Sequence, residues 1–212
     1  MAGAAPEVAP ALLGCLLVHA SPDGLVAVRL SEVEAYAGGE DPASHAYRGP
    51  TPRTRVMFGA AGHAYVYFSY GMHWCLNVVT GSAGTAAAVL LRAGEVVAGE
   101  ALAASRRPGS SARDLARGPA RLTRCLGLGS DHDGADLCAP GARLRLEHGQ
   151  AVAPEQVRAG PRVGVNVGVE APWRFFLAGD RTVSTFRPGT PRRARRSAPG
   201  AGAGAAEPAG SG

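Results

Sequence analysis

LVAVRLSEVEAY, residues 25–36, decides how this chain is read. Its first half alternates as a half-buried β-strand does. With a period of two, Val26, Val28 and Leu30 share one face. Continuing the count puts Glu32, Glu34 and Tyr36 on that same face, so two carboxylates follow three aliphatics toward the interior. A buried carboxylate without a partner costs several kcal/mol, so it protonates or finds a cation. The sequence offers one in AAAVLLRAGE: Arg92 alternates with Leu90 and Ala88 in an apolar strand. Glu34 and Arg92 in adjacent strands solve each other's desolvation. That leaves a structural ion pair, or a carboxylate kept ionised as a general base for a water. Glu32 is a second structural acid, or a bulge turns it toward solvent.

Working outward, SPDG (21–24) is a turn signal between LLGCLLVHA and LVAVRLSEVEAY and predicts a hairpin. Residues 37–62, rich in Gly, Pro, Arg and Ser, read as a long loop of the kind that carries function. HAYVYFSY and HWCLNVVTG read as two strands joined across Tyr70-Gly71-Met72, and TAAAVLLRAGEV as an apolar strand. Residues 95–126 read as two helices. The second, in SARDLARGPARLTRCLGL, has a Ser before its first turn and a Gly after its last. ARLRLEH, RVGVNV and WRFFLAGD read as short strands. From about residue 187 large apolar side chains nearly vanish, and 188–212 read as a disordered tail beside a domain of residues 1–187.

The 212 residues include 22 basic ones, all arginine, and 17 acidic ones, for a net charge of +5. The missing lysine, beside abundant Ala and Gly, points to a GC-rich genome rather than to a function. The basic balance favours an anionic partner: nucleic acid, phosphate or a membrane surface. Cys15, Cys75, Cys125 and Cys138 are widely spaced with no CxxC pair, which argues against a disulfide framework and a zinc ribbon. DHDGADLC, 131–138, fits no standard ligand spacing and reads as an Asp/Gly turn, so no metal is expected. ALLGCLLVHA is too short to span a bilayer, and the N-terminus lacks the basic start of a signal peptide. It reads as a helix or strand of a cytoplasmic protein.

All five tyrosines lie between 36 and 70. Tyr65 and Tyr67 share one face of their strand, with Val66 and Phe68 on the core side. Two tyrosines near Tyr36 and His45 wall a slot for a planar ring, or simply form a tyrosine-rich sheet surface. Tyr70, at a hairpin tip, is a wedge for a duplex or an ordinary exposed residue. His45 sits in the long loop. Asn77 is a polar residue in a buried strand and needs partners. Arg48, Arg53 and Arg55 suit phosphate contact or a solvated loop.

EAYAGGEDPASH (34–45), TPRTRVMF (51–58), YVYFSYGMHWCLN (65–77) and VLLRAGEV (89–96) together resemble the alkyladenine (3-methyladenine) DNA glycosylase family. GPARLTRCLGL and RVGVNVGVEAPWRFFLAGDRTVS extend the resemblance, which covers roughly residues 10–186. It implies an α+β fold, a single mixed domain around a curved antiparallel β-sheet with a few flanking helices, in agreement with the strand count. It implies a monomer without cofactor or metal that binds double-stranded DNA containing damaged purines. It implies that Glu34 activates the attacking water and Arg92 helps hold it. Tyr36 and Tyr67 stack on the extruded base, and His45 hydrogen-bonds it. Asn77 opposes the exocyclic amine of normal guanine, Tyr70 fills the vacated place in the helix, and Tyr65 supports the pocket or groove. The implied activity is monofunctional excision of 3-methyladenine, hypoxanthine or ethenoadenine. A lyase using lysine is excluded because there is no lysine, which leaves only an N-terminal amine for that chemistry. The competing readings are a non-catalytic damaged-DNA binder of the same fold and an enzyme acting on a small nucleoside.

Overall fold

A computed structural model describes residues 1–69 and 71–189. Tyr70, and the tail from Thr190 onward, lie outside the described residues. Helix α1 (Ala5–Ala11) leads into the hairpin of β1 (Leu16–Ser21) and β2 (Gly24–Tyr36), closed across Pro22-Asp23 as the SPDG signal requires. Strands β3 (Ala64–Ser69), β4 (His73–Val79) and β5 (Ala88–Ala98) follow. Then come α2 (Glu100–Arg106), α3 (Pro119–Leu126), β6 (Leu144–Glu147), β7 (Val157–Gly160) and β8 (Arg174–Leu177). The fold is α+β, a single domain around one antiparallel sheet in the order β3-β4-β5-β2-β1-β6, with β8 joining β2 to β7.

The long strand β2 organises this sheet. One edge pairs with β5 along most of its length. The other edge pairs with β1 over Gly24–Arg29 and with β8 over Glu32–Glu34. Where the partner changes, the ladder is irregular: Leu30 faces Gly94, Glu32 faces Ala93 and Val33 faces Leu91. Ser31 is therefore an extra residue on β2 and Arg92 an extra residue on β5. A bulge of this kind shifts the alternation by one residue. Val26, Val28 and Leu30 pack in the main core, and past the bulge Val33 and Ala35 take over that face. The expectation that Glu32, Glu34 and Tyr36 continue the aliphatic face is thus corrected. They point to the opposite side of the sheet, where Ala46, Met57, Tyr65, Val79, Ala86 and Ala88 form a smaller apolar cluster under the 37–62 loop.

Three further expectations change. β5 runs to Ala98, and the stretch after Ser111 is a short 3-10 turn, Ala112–Asp114, before α3 begins. Gly118, at φ 125, and Pro119 break any continuous helix there, while Gly127 ends α3 at φ 72 as read from the sequence. RVGVNV is not a strand: Gly164 and Gly168 turn the chain at positive φ, and the Val163 N–H bonds to a side chain instead of a neighbouring strand. Phe68 is 45% exposed instead of core, its ring tilted at 46° against Trp74 with centroids 4.8 Å apart. The Asp/Gly turn at 131–138 is tied to β3 by Asp133, whose Oδ1 accepts the Val66 N–H at 2.8 Å. Among the described residues no helix is long and apolar enough to cross a membrane.

Candidate active site

Antiparallel register lays one row of side chains across five strands. Tyr65 on β3 faces Asn77 on β4, which faces Leu90 on β5, which faces Glu34 on β2, which faces Arg174 on β8. Directly paired residues share a face, so this row is the floor of one side of the sheet. Above it lies a cavity of about 400 Å³, lined by Tyr36, His45, Arg53, Tyr65, Tyr67, Asn77 and Arg92, with the 163–165 segment closing one side.

The acid–base cluster lies at one end of this floor. Arg92 donates from Nη1 to Glu34 Oε2 at 3.2 Å and from Nε to Glu32 Oε1 at 2.9 Å. Tyr36 donates its hydroxyl to Glu34 Oε2 at 3.0 Å, and the Val163 N–H donates to Glu34 Oε1 at 2.6 Å. Glu34 is wholly buried and is not part of the cavity lining; Tyr36, Arg92 and Val163, which hold it, are. The carboxylate thus lies one side chain behind the wall. Glu32 is a structural acid and is not turned to solvent. Burial pushes its carboxyl up, but Arg92, Arg174 and the Ser184 N–H pull it down further, so its net shift is below the usual carboxylate range. Burial works against Arg92's charge, and Glu34 and Glu32 outweigh it. Burial and the neighbouring Glu34 raise the Tyr36 phenol well above its ordinary value, so its proton stays available to the carboxylate.

Tyr36 and Tyr67 both line the cavity, and their surroundings fix their rings. Arg162 lies over the Tyr36 ring at 4.7 Å. His45 packs edge-on against Tyr67, centroids 4.5 Å apart at 82°, and Arg53 lies over the same ring at 5.3 Å. The His45 Nδ1 meets the Tyr65 hydroxyl at 3.1 Å. Partial burial, then Arg53, lowers the His45 pKa. Asn77 Nδ2 donates to the Tyr65 carbonyl at 3.1 Å. Arg48 and Arg55 are exposed and outside the lining, so of the three loop arginines the cavity gathers only Arg53. Among the described residues no three metal-ligating side chains converge.

The residues that sequence reasoning missed are mostly C-terminal. Arg162 is buried in a two-pronged pair with Asp41. Arg174 and Ser184 close around Glu32. The available signal was weaker than for Arg92: an arginine at the head of the apolar run RVGVNV, directly after Pro161.

A buried carboxylate–guanidinium pair beside a cavity lined by three tyrosines and a histidine suits a flat aromatic ring. The sequence profile of "Methylpurine-DNA glycosylase (MPG)" matches residues 1–181. This chain belongs to that family. Relatives carrying the name "Putative 3-methyladenine DNA glycosylase" include one from Frankia casuarinae, 55% identical over 89% of this chain and 90% of its own length. Another, from Streptomyces avermitilis, is 54% identical over 89% and 90%. A third, from Leifsonia xyli, is 53% identical over 85% and 87%. As a glycosylase-family member the chain is a hydrolase of N-glycosidic bonds in DNA, and the row from Tyr65 to Arg174 is its candidate active site.

Proposed function

We propose that residues 1–187 form a monofunctional DNA glycosylase that flips an alkylated or deaminated purine out of duplex DNA and hydrolyses its N-glycosidic bond. The contact of Arg92 with both Glu34 and the cavity carries this reading: a single guanidinium joins a buried carboxylate to a slot of base size. The flipped base stacks between Tyr36 and Tyr67, which by analogy with single-strand binders is worth roughly 1–3 kcal/mol per ring. His45 hydrogen-bonds the base edge. Base entry exchanges the Tyr36 hydroxyl on Glu34 Oε2 for a water, and free enzymes commonly tighten such contacts only with substrate bound. The carboxylate accepts the water's proton as oxygen attacks C1′ and the C1′–N9 bond breaks with its electron pair going to N9: an alkylated, cationic purine leaves neutral, and a deaminated one leaves as an anion that takes its proton from solvent. It also stabilises the oxocarbenium-like sugar. Without lysine, the abasic sugar is not trapped as a lysine Schiff base. Tyr70 is the wedge that fills the gap in the duplex, and Arg48, Arg53 and Arg55 contact phosphate. The chain acts as a cytoplasmic monomer on chromosomal DNA.

The sealed position of Glu34 favours one other reading, a binder of damaged DNA in which the ion pair is only structural. One assay separates the two. A duplex oligonucleotide carrying a single hypoxanthine or ethenoadenine is incubated with protein, then treated with alkali. Glycosylase action cuts the strand at the lesion only after alkali. A binder leaves it whole, and a lyase cuts it without alkali.

A further inference from the structure

Glu32 is as deeply buried as Glu34 and, like it, is outside the cavity lining, but nothing in the proposed chemistry uses it. Its Oε1 accepts from Arg92 Nε at 2.9 Å, Arg174 Nε at 2.7 Å and Ser184 Oγ at 2.9 Å, and its Oε2 accepts the Ser184 N–H at 2.6 Å. Arg174 also donates Nη2 to the Ser184 carbonyl at 2.8 Å.

We propose that Glu32, Arg174 and Ser184 form a charge-balanced brace that positions Arg92 toward Glu34, which makes Glu32 and Arg174 positioning residues of base excision. The inference rests on Glu34 being the base. A guanidinium has five N–H donors in a fixed plane. Held only by its 3.2 Å contact to Glu34, Arg92 would pivot. Glu32 on Nε and Ser184 on Nη2, at 3.4 Å, fix that plane and leave Nη1 for Glu34. The paired irregularity in the ladder makes this possible, because Arg92 is the extra residue of β5 and reaches both Glu32 and Glu34.

The charges balance: Glu32 and Glu34 against Arg92 and Arg174. Glu34 is faced by Arg92 from β5, by Arg174 opposite it on β8, by Tyr36 on its own strand, by Tyr67 from β3 and by Arg162 from the 161–168 segment, Arg162 being neutralised by Asp41. Glu32→Gln leaves the four-group cluster one positive charge in excess, which favours ionised acids. Arg174→Gln leaves one negative charge in excess, which disfavours them.

The test is the pH profile of single-turnover excision, with half-saturation by lesion DNA and melting temperature measured alongside. Glu32→Gln is expected to lower the rate constant about 10- to 100-fold, the scale of a misplaced catalytic group, with half-saturation nearly unchanged and the acidic limb moved to lower pH. Arg174→Gln is expected to lower the rate and move the same limb to higher pH. The double variant returns the limb to its wild-type place while the rate stays low. Loose packing alone would not drive the limbs in opposite directions. Should a single variant fail to fold, Ser184→Ala still tests the brace. It removes one hydroxyl and is expected to cost about 3- to 10-fold in rate with half-saturation unchanged. Limbs that move together, or a wild-type rate in Ser184→Ala with either foldable single variant, overturn the brace. Full activity in Glu34→Gln would instead overturn the underlying assignment of the base.

Discussion

Asp41 and Arg162 meet through two prongs, Nη1 to Oδ2 at 2.5 Å and Nη2 to Oδ1 at 2.9 Å, whereas Glu34 and Arg92 touch through one, at 3.2 Å. Both pairs are buried and lie close together. In the first, Asp41 also accepts the Ala37 and Ala43 N–H groups, and Arg162 also donates to the Ala35 and Gly168 carbonyls, its buried Nε alone having no partner among the described residues. This pair joins the start of the 37–62 loop to the 161–168 segment and backs the Tyr36 and Trp173 rings. The second borders a cavity through Arg92. On the function proposed above, the two-pronged pair shapes the pocket, and the single-pronged pair, itself held by Tyr36, Val163 and Glu32, supplies its chemistry.

Substitutions test that division, the strongest first. Glu34→Gln is expected to reduce single-turnover excision by about 10²- to 10⁴-fold, the range for a general base, while lesion affinity and the melting curve stay near wild type. Unfolding in place of slow chemistry would make this pair a second latch. Asp41→Asn removes one charge from the two-pronged pair and is expected to lower stability in urea by about 3–5 kcal/mol, with excision per folded molecule much less affected. A larger effect on rate than on stability would reverse the roles of the two pairs. Tyr67→Ala removes one wall and is expected to weaken lesion binding by about 1–3 kcal/mol, read by competition against undamaged duplex. The smallest effect is in acid stability. The Glu32 carboxyl is depressed in the folded protein, so it contributes stability above its unfolded value, about 4.3, and loses it as pH falls through the lower folded value. Urea unfolding below about pH 4 should show this loss in wild type, and a flatter profile in Glu32→Gln.

The strands were legible because alternation, turn residues and apolar runs are local signals. The hairpin at SPDG and the loop at 37–62 follow from them. The Glu34–Arg92 pair was legible for another reason: a charge inside an apolar strand demands a partner, and each sequence segment offered one. The phase switch at Ser31 was not legible. Nothing in LSEVEAY marks a bulge, which arises because β2 exchanges β1 for β8 there, a tertiary event. The acids looked misplaced on the core face because the count was carried through that bulge. Arg162 was missed because RVGVNV alternates like a strand, while Gly164, Gly168 just after it and the side-chain bond from Val163 make it a turn. Arg174 and Ser184 reach Glu32 from more than 140 residues away in sequence, and no local pattern encodes that.

The central claim is that Glu34 and Arg92 act as one catalytic unit. A double-mutant cycle of Glu34→Gln and Arg92→Gln, read as single-turnover excision of hypoxanthine from duplex DNA, tests it directly. If the two side chains hold the same water, the double variant is about as slow as Glu34→Gln alone, because groups that work together lose their effect together. Losses that multiply would show two independent contributions and contradict the account.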